Sequence, residues 1–143
     1  MAKTFSTIAD LQSYIQSACE DAVCETAEVA MAKLRECIEE QYYDDPEFYP
    51  EFYRRTEEFL NSAAWQLLSP TSAEVGINTA YMQYKNGFEP KQVVEWASES
   101  KHGSSWRNTT NTEDFWSVFV KWCDENLIKL LQQNLQKHGI KTK

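Results

Sequence analysis

The chain has 143 residues, 42% of them hydrophobic, which suits one domain with its own core and argues against an intrinsically disordered segment. Its formal net charge of −8 opposes attachment to DNA or to an anionic membrane surface by counterion release. No run approaches the ~18 apolar residues that span a bilayer, and Met1-Ala2-Lys3-Thr4 leads toward a helix rather than an apolar signal block, so neither membrane insertion nor secretion is expected.

The acidity belongs to the leading part. Residues 1–60 hold 5 Lys and Arg against 14 Asp and Glu, whereas residues 61–143 hold 9 against 8. Such a face is either plain solvation or a match to a basic partner surface. A long helix is predicted first, over 7–41. Ser6 or Thr7 can cap it, with Asp10 three residues beyond Thr7 as in a capping box. Ile8, Leu11, Ile15, Ala18 and Ala22 follow helical spacing; Val23, Ala27, Ala30, Leu34 and Ile38 continue it on a slightly rotated face. At ~1.5 Å per residue the rod runs about 50 Å, against about 30 Å for a globule of this size. It therefore overhangs its own domain and seeks an apolar partner, or breaks near Glu20 to Glu25 and stays within the monomer.

Asp44, Asp45 and Pro46 end the helix, and an aromatic connector follows over 42–58. Tyr42, Tyr43, Phe48, Tyr49, Phe52 and Tyr53 lie there with two prolines and Arg54-Arg55-Thr56. Clustered rings and prolines do not suit a helix interior. Tyr, Trp and Arg dominate binding hot spots, which makes Tyr49, Tyr53, Arg54 and Arg55 candidate interface residues; Phe48 and Phe52 fit core packing better. The arginines can equally pair with Glu51 or Glu57.

A β-hairpin is predicted over 59–82. Ala73, Val75, Ile77, Thr79 and Tyr81 alternate with more polar or smaller neighbours, Phe59, Ala63, Trp65 and Leu67 share a parity before them, and Ser69-Pro70-Thr71-Ser72 supplies the turn. Two strands are marginal alone, so the unit must pack on helices or extend into a larger sheet, across subunits or within one. A loop with a short helix follows over 83–111. Pro90 suits the first turn of that helix through Val93, Val94, Trp96 and Ala97, and Trp106 sits beside a Gly-Ser loop as a further candidate interface residue. The last element is a helix over 112–138, capped by Asn111 or Thr112, with a stripe of Trp116, Phe119, Val120, Cys123, Leu127, Leu130 and Leu131. Gly139 suits its left-handed exit, with Ile140 for the hydrophobic contact. The fold class is α+β: a long N-terminal helix, an antiparallel hairpin or small sheet, and a C-terminal helix packed on it, in a single domain over 1–143.

Chemistry is sparse. Cys19, Cys24, Cys37 and Cys123 lack zinc-knuckle spacing, His102 and His138 lie far from them, and free thiols in a reducing compartment are expected. His102 beside Ser104 and Ser105 lacks the Gly-x-Ser-x-Gly elbow, and the four glycines form no phosphate cradle. Carboxylates such as Glu36, Glu39 and Glu40 read as a solvated face. No catalytic, cofactor-binding or metal-binding residue is expected, and no enzyme.

The order of parts resembles the tail-completion, or neck, family of long-tailed bacteriophages. The resemblance rests on a long acidic helix running into YYDDPEFYPEFYRRTEEFLNS, with Tyr53, Arg55, Thr56 and Leu60 in the family's pattern and Ser62 shifted from it by one residue. A hairpin and a Trp- and Phe-rich helix leaving through Gly139 and Ile140 complete it. Where the family commonly has a glycine-containing segment after Arg-Thr, this chain has Glu57-Glu58. The resemblance implies a non-enzymatic virion protein, made in the host cytoplasm, that forms a sixfold ring between the head-tail connector and the tail terminator or tube. DNA would pass through without sequence-specific binding, and acidic walls would keep it from sticking. The alternative is a soluble adaptor or regulatory protein that binds one protein partner through its N-terminal helix.

Overall fold

A computed structural model describes residues 3–43, 58–82, 89–99 and 114–142. The first element, α1, is one α-helix from Ile8 to Ile38 that passes through Glu20 to Glu25 without a break. Thr7 caps it. The Asp10 N–H donates to Thr7 Oγ1 at 3.1 Å, and Ser6 Oγ donates to the Asp10 carboxylate at 2.8 Å. Hydrogen bonds from Ser6 and Thr7 hold the Asp10 carboxyl below its ordinary range. At ~1.5 Å per residue, 31 residues make a rod of about 46 Å. Its last turn widens into a π-helical stretch at Glu39–Tyr43.

One row of α1 explains its packing. Ala18, Ala22, Thr26, Ala30, Leu34 and Ile38 are all buried and recur every fourth residue, the inclined ridge along which helices interlock. The first four are small, so another backbone can come close; the last two are large, so the core thickens toward the C-terminal end. The neighbour on this ridge is α3, Phe115–Lys137, running antiparallel to α1. A buried polar pair marks the register. Asn134 Nδ2 donates to Thr26 Oγ1 at 3.0 Å, and Thr26 Oγ1 donates to the Ala22 carbonyl at 2.7 Å, so the hydroxyl is satisfied inside the seam.

The hairpin lies on α1 as well. Strands β1 (Ala63–Ser69) and β2 (Ser72–Ile77) pair antiparallel, with Ala63 opposite Ile77 and Trp65 opposite Val75. The pairing shifts by a residue between Leu67 and Ser69, a bulge beside the Pro70-Thr71 turn. Ser69 Oγ accepts the Thr71 N–H at 3.2 Å and lies 2.8 Å from the Ser72 hydroxyl, closing that turn with side chains. Ala63, Val75 and Ile77 face the core.

The core gathers at the C-terminal end of α1. Leu34, Cys37 and Ile38 meet Phe59 and Leu60 ahead of β1, Met82 after the hairpin, Val93 and Ala97 of α2 (Pro90–Ser98), and Phe115 and Phe119 of α3. Phe59 is its hub: its ring meets Tyr42 and Phe115 edge-on, each at 5.4 Å between centroids. Helix α3 begins three residues later than the sequence suggests. Its cap is Asp114, whose carboxylate accepts the Ser117 N–H and hydroxyl, each at 2.8 Å; Asn111 and Thr112 lie outside the described residues.

Candidate interaction surfaces

The five side chains that the sequence nominates for an interface, Tyr49, Tyr53, Arg54, Arg55 and Trp106, lie outside the described residues. The structure does place the two residues that bracket the first four. Tyr42 and Phe59 touch at 5.4 Å, so the stretch between them departs from and returns to one place, the C-terminal end of α1.

The other end of α1 is built differently. Lys137, the last residue of α3, is ion-paired to Glu25 at 3.0 Å. The leading turns of α1, from Ile8 to Ser17, about 14 Å, run past the seam with α3. The chain after α3 turns onto this overhang. Gly139 has φ +88°, the Ile140 N–H donates to the Leu135 carbonyl at 2.8 Å, and the Gly139 N–H donates to the Gln136 carbonyl at 3.0 Å, together a Schellman exit. Tyr14 Oη donates to the His138 carbonyl at 3.0 Å, and a Cβ at Gly139 would collide with that hydroxyl. His138 Nε2 lies 2.9 Å from Glu25 Oε1, and Nδ1 lies 3.9 Å from Asp21. The hydrogen bond to His138, and then that to Lys137, hold the Glu25 carboxyl below its ordinary range. At the start of the chain, Phe5 leans on Tyr14 at 5.1 Å, and Lys3 Nζ sits 4.4 Å over the Tyr14 ring.

These parts border an open groove of about 1060 Å3. Leu11, Ile15, Ala18 and Ile140 supply apolar wall, with Lys3, Lys137 and Lys141 around it. Ile8 (76% exposed), Leu11 (39%) and Ile15 (42%) stay on the surface, the apolar stripe an overhanging rod would present. A second exposed series, Trp116, Val120 and Ile128, lies on α3, and Leu68 and Tyr81 project near the hairpin.

Among the described residues no three His, Cys, Asp or Glu side chains converge as a metal site, and no helix is long and apolar enough to cross a membrane. Cys19, Cys24, Cys37 and Cys123 are free thiols. Burial pushes Cys37 up to about 11 and raises Cys123, which suits packing rather than nucleophilic work. Nothing local in the sequence points to the carboxylate partners of His138, which lie more than 100 residues away in the chain and meet it only once α1 and α3 pair.

One family model, described as YomN, matches residues 7–137, from the cap of α1 to the last residue of α3. No curated protein and no solved structure matches the chain.

Proposed function

The chain belongs to the YomN family, whose name comes from a Bacillus prophage; on that premise we propose that it is a phage-associated, non-enzymatic structural protein of the neck, joining the head-side connector to the tail terminator or tube as an oligomeric ring. The observation that carries this role is the leading half of α1. Ile8, Leu11 and Ile15 form an apolar stripe along a rod that outruns the helix packed on it. Exposed apolar side chains in a row are worth burying at about 25 cal/mol per Å2, and in a repeating assembly an identical subunit can supply the cover. The net charge of −8, repeated around a ring, would line or surround a DNA passage with repulsion rather than adhesion.

Electron cryo-microscopy of phage particles that contain this chain tests the role directly. The expected result is density for α1, the hairpin and α3 repeated in a closed ring at the head-tail junction. Purified particles that lack the chain would overturn it. The aromatic connector has its own test. Tyr49→Ala with Tyr53→Ala should leave the far-UV circular dichroism spectrum largely unchanged and impair incorporation into particles. A double variant that fails to fold would return those rings to the core.

A further inference from the structure

We infer that the groove beside the leading half of α1 receives the acidic, aromatic segment 44–57 of a second copy, so that copies join head to tail. The inference deepens the ring role proposed above and rests on it. Four observations converge on this occupant.

The first is charge. In a chain of net −8, the groove is ringed by Lys3, Lys137 and Lys141 against one carboxylate, Asp21. Lys137 is committed to Glu25; among the described residues neither Lys3 nor Lys141 has an ion pair. The second is composition. Segment 44–57 reads DDPEFYPEFYRRTE, in which Asp44, Asp45, Glu47 and Glu51 alternate with Phe48, Tyr49, Phe52 and Tyr53. Carboxylates suit Lys141 and Lys3, which lack ion pairs among the described residues, rings suit the apolar wall of Leu11 and Ile15, and Arg54 or Arg55 suits exposed Asp21. The third is size. A volume of about 1060 Å3 is at the upper end of ordinary ligand pockets, room for several side chains of a peptide but not for a domain.

The fourth decides between the segment of the same chain and that of another. Tyr42 and Phe59 pin both ends of the segment at the C-terminal end of α1. From Tyr14 to Tyr42 the helix covers about 40 Å at ~1.5 Å per residue. A fully extended excursion that must also return reaches about 30 Å at ~3.6 Å per residue. The segment therefore touches at most the near rim of its own groove at Asp21, cannot reach the Leu11 and Ile15 wall, and can fill only a neighbour's. Donor and receiver at opposite ends of one rod make a heterologous contact, the kind that closes into rings when the rotation per copy divides a full turn.

The test places a benzophenone photo-crosslinking amino acid at position 15 of the full chain. Unlabelled and 15N-labelled protein are mixed before irradiation, and the products are mapped by mass spectrometry. The expected products are mixed-isotope links from position 15 to residues 44–57. Lys3→Glu with Lys141→Glu, two exposed positions whose change should leave the circular dichroism intact, should lower their yield about tenfold, and added salt should lower it too. Combining that pair with Asp44→Lys and Asp45→Lys should restore it. Links to other residues of the second copy, same-isotope links alone, no links, or indifference to the lysine reversals would each overturn the inference. A particle map with the chain ringed at the neck but without these links removes only the inference. Links without the chain in particles remove the neck role and leave the head-to-tail contact standing.

Discussion

The two ends of α1 are held by different physics. At the C-terminal end, Leu34, Cys37 and Ile38 are enclosed by large apolar side chains from elements before and after the hairpin, with Phe59 1% exposed at the centre. At the N-terminal end the seam is made of alanines, and the last contacts are a tyrosine hydroxyl, an imidazole and an ion pair. Burying a large apolar side chain contributes about 1.5–3 kcal/mol, whereas a net hydrogen bond contributes about 0.5–1.5 kcal/mol and an exposed ion pair less. One end is therefore the folding core, and the other is a lightly fastened arm that can adapt to a neighbour without loss of the fold.

Four measurements would break or sharpen that contrast. Phe59→Ala removes the hub of the thick end and should cost about 3–5 kcal/mol in urea unfolding; a loss below ~1 kcal/mol would mean that the core lies elsewhere. Ala22→Leu overfills the seam at a position with no exposed surface and should cost about 1–3 kcal/mol, because α3 must move out. Tyr14→Phe deletes the hydroxyl that holds the His138 carbonyl and should cost about 0.5–1.5 kcal/mol, with the loss in hydrogen exchange confined to residues after Asn134. If Tyr14→Phe proved as damaging as Phe59→Ala, the two ends would be equal partners in folding.

The smallest effect is on acid stability. Glu25 has a folded-state pKa below its ordinary value of 4.5. Its contribution is thus fully present above that value and disappears as pH falls through the lower folded value. A pH series of melting temperatures should show Glu25→Gln below the parent near neutrality and the two curves converging in acid. Curves that stay parallel down through the carboxylate range would show that His138 and Lys137 do not stabilise the folded carboxylate.

Much of this architecture is legible without coordinates. Uninterrupted helical spacing from Ile8 to Ile38 after a capping Thr7 is enough for a long rod, the alternation through Val75 and Ile77 for a strand, and the Gly139-Ile140 exit for the end of α3, because each depends on neighbours in sequence. The register of α1 against α3 was not legible. It depends on which alanines face which side chains across more than 100 intervening residues, and no local pattern specifies that Thr26 meets Asn134 or that His138 meets Glu25. The cap of α3 was misplaced for a related reason: Asn111, Thr112 and Asp114 are all competent, and the carboxylate that reaches Ser117 decides. Of the site, the length of the rod leaves two outcomes open, an overhanging stripe or a break near Glu20 to Glu25, and local spacing alone does not choose between them. The groove is not legible, since it is assembled from the first and last residues of the chain.

That assembly has a practical corollary for handling the protein. Lys3 and Lys141 both border the groove, so a peptide attached beside either residue would hang over the same cleft. A hexahistidine peptide or a fluorescent fusion there could mask self-association and make an assembling protein look solitary. The Pro70-Thr71 bend, with Thr71 and Ser72 open to solvent, is the safer place for an epitope insertion.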